Sequence, residues 1–307
     1  MNEKTLLTKE AFLTELQEKI RGLLGEEYYT KQCRTEKING VVKETILVRR
    51  TGYDCAPSFY SDEMYASYCS GTPVELLAEQ LGDVIRRETA EKQMISAEIC
   101  SKEWLEKNIY VRLVGFSANE ELLASSVYVK YLDLAATYYV LTEQGEEGIR
   151  SYRLPKEVWE SAGLGAPEDY FAQAVQNTRD LFPEDEIPMN AFLERVMKQY
   201  GKEAEPELSE MFSDSAAMFL ILTNQQRING AAVILYPGFL EHLAETYGNF
   251  YLIPSSVHEI LLVREDAIGA KELNAMVNEV NATQVEPEEV LMDHVYYYSE
   301  KTGLCIR

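Results

Sequence analysis

Three histidines limit the acid–base chemistry open to this chain: His242, His258 and His294. His258 has the richest surroundings, lying in the run IPSSVHEILLV with Ser255, Ser256 and Glu259 beside it. An imidazole there would serve as a general base, with Glu259 to orient it and a serine to attack, as in a hydrolase. The spacing counts against this. A zincin helix needs His-Glu-x-x-His, whereas this run continues His-Glu-Ile-Leu-Leu in a β-prone stretch. Neighbours on a strand face opposite ways, so His258 and Glu259 would share one site only across a bulge. No Gly-x-Ser-x-Gly elbow is present. The simpler reading makes Pro254-Ser255-Ser256 a tight turn whose hydroxyls satisfy backbone groups, with His258 capping the adjoining strand.

Other side chains add binding candidates. His294 follows Asp293 at the start of the last strand. With His258 and Glu259 they offer the donors that zinc or manganese takes, yet no spacing demands an ion and none is assigned. Asp133 and Asp214 each precede a strand, and would either converge as an acid–base pair or cap local turns. Asn229 opens an Asn-Gly turn and completes the set. His242 belongs on the polar side of a helix. There is no Gly-x-Gly-x-x-Gly and no Walker loop, and the residues indicate no cofactor. Many of the 20 tyrosines cluster, as at Tyr28-Tyr29, Tyr138-Tyr139 and Tyr296 to Tyr298. Most read as core packing with a wet hydroxyl; an aromatic-lined recognition surface is the alternative.

The elements that must position these groups follow from periodicity. Thr8 caps an amphipathic helix with Phe12, Leu13, Leu16, Ile20, Leu23 and Leu24 on one face, ended by Gly25. Asn39-Gly40 predicts a two-residue hairpin, with Val41 to Val48 as its second strand. A Tyr-, Gly- and Ser-rich loop follows, and Thr72-Pro73 opens a helix to about Glu91. Strands are predicted at IYVRLVGF, 127–132 and 135–142, and helices near 156–162, 167–180 and 188–200, with FPEDEIP as an acidic turn. Next come a strand (AAMFLILT), the Asn229-Gly230 turn, a strand (AAVILY) and a helix from Gly238 to Tyr247. Strands FYLIP and EILLV, a helix at 270–281 and a hairpin VYYYSEKTGLCIR close the chain. Strict βαβ alternation is missing, so the expected class is α+β with mixed or antiparallel sheets and packed helices.

A degenerate repeat overlies this order. DLAATYYVLTEQ at 133–144 and DSAAMFLILTNQ at 214–225 share Asp, two alanines, Leu, Thr and Gln at matching places. Gly148 and Pro155 answer Gly230 and Pro237, AVQNT answers EVNAT, and PEDEIPM answers PEEVLM. The implied unit is a hairpin with a helix laid over it, occurring twice. This divides the chain into an N-terminal region (1–125), a first unit with an acidic helical segment (126–205) and a second unit carrying the PSSVHE hairpin (206–307). A groove between the copies would hold a ligand.

Composition narrows the partners. The 307 residues carry 29 basic and 51 acidic side chains, a formal charge of −22. Such a field repels a phosphate backbone, so nucleic acid is excluded as a partner, and a protein or small molecule is expected instead. The acidic excess is densest over 143–214. Five scattered cysteines without Cys-x-x-Cys spacing fit a reducing compartment. The opening run has charges every few residues, unlike a signal peptide, and no stretch approaches 18 apolar residues. A cytoplasmic protein with no membrane partner is the expectation.

The stretches NGAAVILYPGFLEHLAETYGNFYLIPSSVHEILLV and MVNEVNATQVEPEEVLMDHVYYY resemble an uncharacterised domain-of-unknown-function family of gut Clostridia and related Firmicutes, some members lying on mobile elements. The resemblance rests on Leu222-Thr223-Asn224, Asn229 to Ala232, Pro254 to Ser256, His258-Glu259, Asn281 and Pro287 to Leu291. It departs at Met292, where serine is usual, and extends to YLDLA at 131–135 and AVQNT at 174–178. It implies a bacterial, cytosolic setting but no activity, cofactor or substrate. The expected function is a non-catalytic binding or interaction module. The alternative is a hydrolase-type enzyme using His258 and Glu259 with a nearby serine.

Overall fold

Thr8 does cap the first helix: its Oγ1 accepts from the Ala11 N–H at 3.3 Å, and α1 runs Lys9–Leu24 with Phe12, Leu13, Leu16 and Ile20 buried. Our computed structural model describes residues 6–52, 57–90, 101–145, 148–193, 218–254 and 256–307. The chain divides into two units, one of 1–37 and 41–101, the other of 38–40 and 102–307. In the first, β1 (Tyr28–Glu36), β2 (Val42–Arg50) and β3 (Ser58–Tyr60) form an antiparallel sheet in that order. The helices α2 (Ser61–Cys69) and α3 (Val74–Ala90) complete it. The α1 apolar face closes a core with Ile46, Val48, Leu77, Ala78 and Ile85.

The second unit holds every described candidate residue. Its first sheet is antiparallel: β4 (Ile109–Gly115) and β5 (Tyr128–Tyr131) pair with β6 (Leu134–Gly145), which also pairs with β7 (Gly148–Arg153). The helices around it are α4 (Lys102–Asn108), α5 (Glu120–Ala124), α6 (Lys156–Ser161) and α7 (Pro167–Leu181). The AVQNT residues have a local task. Asn177 Nδ2 donates to Ile109 O at 2.8 Å, and Thr178 Oγ1 accepts from Val111 N at 2.9 Å. They satisfy backbone groups along β4 that pair with no strand, and so protect a sheet edge.

The second sheet has the order β13-β12-β10-β11-β9-β8 and is antiparallel throughout. Its strands are β8 (Glu184–Pro188), β9 (Phe219–Asn224), β10 (Phe250–Ile253), β11 (Ile260–Arg264), β12 (Tyr296–Ser299) and β13 (Gly303–Ile306). A 3-10 helix (Gly230–Leu235), α8 (Phe239–Tyr247) and α9 (Ala270–Thr283) accompany it. One core joins residues of both sheets, including Leu113, Ala136, Tyr138 and Val140 from one and Leu222, Phe250, Leu252, Ile260 and Tyr296 from the other. At about 25 cal/mol per Å², burial of each of the leucine, isoleucine, valine and phenylalanine side chains is worth about 1.5–3 kcal/mol before entropy is counted. The class is α+β, with open antiparallel sheets and packed helices.

Four local expectations need correction. The Asn39-Gly40 turn is a wider loop in which Lys37 N donates to Val41 O at 2.7 Å, and Asn39 takes φ 60°. Asn39 uses its amide for other bonds, described below. The acidic FPEDEIP run is no turn but contains β8, whose Glu184 to Pro188 pair with Asn224 to Leu220. The run AAVILY makes the 3-10 helix, not a strand. A short apolar run does not reveal its period when every side is buried, as Ala231, Ala232, Val233 and Ile234 are. Finally, residues 231–236 do not pair with β9 as the second strand of a hairpin. β6 forms a hairpin with β7, whereas both edges of β9 are already taken by β8 and β11. No edge is left for residues 231–236 to pair with.

The expected boundary at 125–126 falls inside the second unit, between α5 and β5; that at 205–206 lies outside the described residues, as does the predicted helix beyond 193. No helix among the described residues is long and apolar enough to cross a membrane.

Candidate functional site

The PSSVHE segment leads into β11, and its described residues Ser256, His258 and Glu259 bond to one another and to neighbouring groups. Ser256 is buried, its Oγ accepting from His258 N at 3.0 Å and donating to Glu259 Oε1 at 2.8 Å. The His258 ring takes a different direction. Nδ1 accepts from Asn229 N at 3.1 Å, and Nε2 faces Glu289 Oε1 at 3.5 Å. An accepting Nδ1 leaves the proton of the neutral ring on Nε2, toward Glu289. The serine hydroxyl thus meets the histidine's backbone and not its ring. Ser255, the other nucleophile candidate, lies outside the described residues.

Packing fixes the loop further. Thr223 Oγ1 donates to His258 O at 2.7 Å, Ala231 N to Val257 O at 3.2 Å, and Val257 N to Glu289 O at 2.8 Å. A Cβ on Gly230 would overlap both Thr223 Oγ1 and His258 O. Asn229 just before it takes the left-handed conformation, φ 53°, which asparagine tolerates better than most residues. Asn229-Gly230 therefore lets the 3-10 helix start against the His258 carbonyl.

The second motif, PEEVLMDHVYYY, is clamped by asparagines. On α9, Asn274, Asn278 and Asn281 stand at helical spacing on one side. Asn281 Nδ2 donates to Met292 O at 2.8 Å, Asn278 Nδ2 to Asp293 O at 2.9 Å, and Asn274 Oδ1 accepts from Val295 N at 2.8 Å. Asn39 Nδ2 donates to Pro287 O at 2.8 Å and Val290 O at 2.7 Å, while its N–H bonds Asn119 Oδ1. Amide side chains here replace the ladder bonds that an irregular backbone lacks.

This clamp brings His294 against Asp133. The ring Nε2 lies 2.8 Å from Asp133 Oδ2 without a directed hydrogen bond, and Nδ1 is 2.9 Å from Asp293 Oδ1. Asp133 also accepts at Oδ1 from Tyr296 OH at 2.7 Å. Burial first, then the bond to Asp133, pushes the Tyr296 phenol far above its ordinary range, so Tyr296 acts as a neutral donor. Three of the candidates, Asp133, Asp293 and His294, thus meet in one polar chain from a buried tyrosine to an exposed aspartate. The two carboxylates occupy opposite nitrogens of the ring and do not converge on one point. Among the described residues, no three His, Cys, Asp or Glu side chains are placed so that they could hold one metal ion. Asp214 lies outside them. His242, on α8, is exposed and 4.0 Å from Glu245.

A cleft of about 500 Å³ adjoins the same tyrosine strand. Its walls include Tyr131, Tyr236 and Tyr298, its carboxylates are Glu241, Glu245 and Glu300, and among the described residues no Lys, Arg or His lines it. Burial, then the charge of Glu241, pushes the phenols of Tyr131 and Tyr298 above their usual range; Glu300 adds to the effect at Tyr298. Those phenols remain neutral at physiological pH, while the carboxylates set the sign of the field. The sequence signal was faint. Tyr296 to Tyr298 stood out as a cluster, but the cleft takes only one of its members and adds residues from five other stretches.

A family model matches residues 9–300, that of a family of unknown function, DUF5688. None of the curated proteins and none of the solved structures matches the chain.

Proposed function

We propose that this chain, which belongs to the DUF5688 family, is a non-catalytic binding module whose recognition site is the tyrosine–glutamate cleft. The observation that carries this reading is the chemistry of the walls: three tyrosines and three carboxylates, with no basic side chain among the described lining residues. Carboxylates near aromatic faces suit an organic cation, an amine or guanidinium, through Coulomb attraction and cation–π contact. The volume of about 500 Å³ lies in the range of small-molecule sites. A lysine or arginine side chain from a protein partner would present the same groups. A cytoplasmic setting accords with the scattered cysteines and belongs to this proposal.

The hydrolase reading has less support. Its serine and imidazole would need to share a proton, and Ser256 and the His258 ring are each bonded elsewhere. Isothermal titration calorimetry with tetramethylammonium and with arginine amide, on the wild type and on Glu241→Gln, tests the proposal. The wild type should bind at least one of them, and Glu241→Gln should weaken that binding several-fold. Absence of binding to both, or equal binding by the variant, would overturn the reading.

A further inference from the structure

A second polar surface, of opposite sign, lies on the four-stranded sheet of the same unit. Arg112 on β4 is pinned along one edge of its guanidinium. Nε donates to Tyr110 OH at 3.1 Å, Nη2 bonds the same hydroxyl, and Nη2 donates to Ser151 Oγ at 2.8 Å. Tyr110 OH in turn donates to Ser151 Oγ at 2.7 Å, so the two hydroxyls hold each other in place. The guanidinium also lies over the Tyr139 ring, 4.0 Å from its centroid.

Every partner of this cation is neutral. No carboxylate pairs with Arg112 among the described residues, in a chain with 51 of them. Its Nη1 makes no bond among the described residues, so the two N–H groups of that nitrogen remain as donors for an incoming group. A guanidinium held in this way offers an oxyanion a charge-assisted hydrogen bond from Nη1 at a fixed position.

Arg153 supplies a second cation. It pairs in register with Tyr139 across β6 and β7, as Tyr110 does across β4 and β6. Residues opposite one another project on the same face, so the two arginines flank Tyr139. Strands lie about 4.8 Å apart, which places β4 and β7 about 10 Å from each other, a span that two arginine side chains bridge. No carboxylate pairs with Arg153 among the described residues either. Two like charges on one sheet face repel, and an anion between them would remove that cost.

We propose that this face is an oxyanion site, in which Arg112 and Arg153, on either side of Tyr139, take the phosphate or carboxylate group of a small molecule. The proposal is independent of the cleft and adds a ligand class of opposite charge. The chain's net charge of −22 makes the test clean, because diffuse attraction for anions is absent.

Isothermal titration calorimetry of the full chain at low ionic strength, with inorganic phosphate and with citrate as probes, reads it out. Binding of at least one probe is expected, with chloride at matched ionic strength giving no heat. Phosphate alone would mark a phosphoryl group as the natural ligand, and citrate alone a carboxylate. Arg153→Gln should weaken binding at least tenfold. Arg112→Gln should do the same, because the charge and the Nη1 donors are both lost. Thermal melting of both variants checks that they fold. Failure of the wild type to bind either probe, or unchanged affinity in either folded variant, would overturn the proposal.

Discussion

The loop around His258 and the cleft beside Tyr298 lie in one unit, yet their polar groups are used in opposite ways. Around His258, hydroxyl, imidazole and amide atoms are bonded to backbone or to each other: Ser256 to Glu259, His258 to Asn229, Thr223 to the His258 carbonyl. In the cleft, Glu241, Glu245 and Glu300 face a concave space with no cation among its described lining residues. The difference separates two kinds of polar residue. The first kind holds irregular backbone in place, and its removal should cost stability. The second kind contributes little to folding, and its removal should cost binding.

Predictions that break or sharpen this contrast run from large effects on the loop to small ones elsewhere. Gly230→Ala forces a Cβ into Thr223 Oγ1 and the His258 carbonyl, so chemical denaturation should show a loss of at least about 2–3 kcal/mol. A loss under about 0.5 kcal/mol would mean that the loop is not the rigid brace described. His258→Ala removes the acceptor of the Asn229 N–H and should destabilise by about 1–3 kcal/mol, read from the same denaturation curves. Asn281→Ala frees the Met292 carbonyl and should cost about 1 kcal/mol.

A smaller effect is expected at Arg179 and Glu184. Burial, the largest single influence, pushes the Glu184 carboxyl up, but the Arg179 bond, the residue's own backbone N–H and the guanidinium charge together hold it below the ordinary glutamate range. A lowered carboxylate stabilises the fold above its unfolded pKa and loses that contribution as pH falls through the folded value. The pair should therefore stabilise at neutral pH and cease to do so below the usual glutamate range. With partners about a quarter to a third exposed, the size is at most about 1 kcal/mol. Arg179→Gln should flatten that part of the stability–pH profile, and an unchanged acid limb would count against the pair.

How far the sequence reveals the molecule depends on how local the deciding force is. The α1 cap at Thr8 and its buried face were legible because both lie within one helix. The class was legible too, since antiparallel sheets follow from the missing βαβ alternation. AAVILY was misjudged because total burial erases the alternation that marks a strand, and because β8 and β11 occupy the edges of β9. Asp133, Asp293 and His294 each stood out in the sequence. Their meeting depends on the asparagine clamp of α9 and the register of β12, which no spacing encodes. Arg112 gave no signal at all: a lone arginine in a strand carries no motif, and only its neutral partners in the fold single it out.

The contrast itself can be measured in one experiment, a matched comparison of His258→Gln and Glu241→Gln for both melting temperature and affinity for an organic cation. Glu241→Gln should melt like the wild type and bind the cation several-fold more weakly. His258→Gln should melt lower and, at a temperature where it is folded, bind the cation as the wild type does. The reverse pattern, with binding lost on changing His258 and retained on changing Glu241, would contradict the account and return attention to the PSSVHE loop as the site.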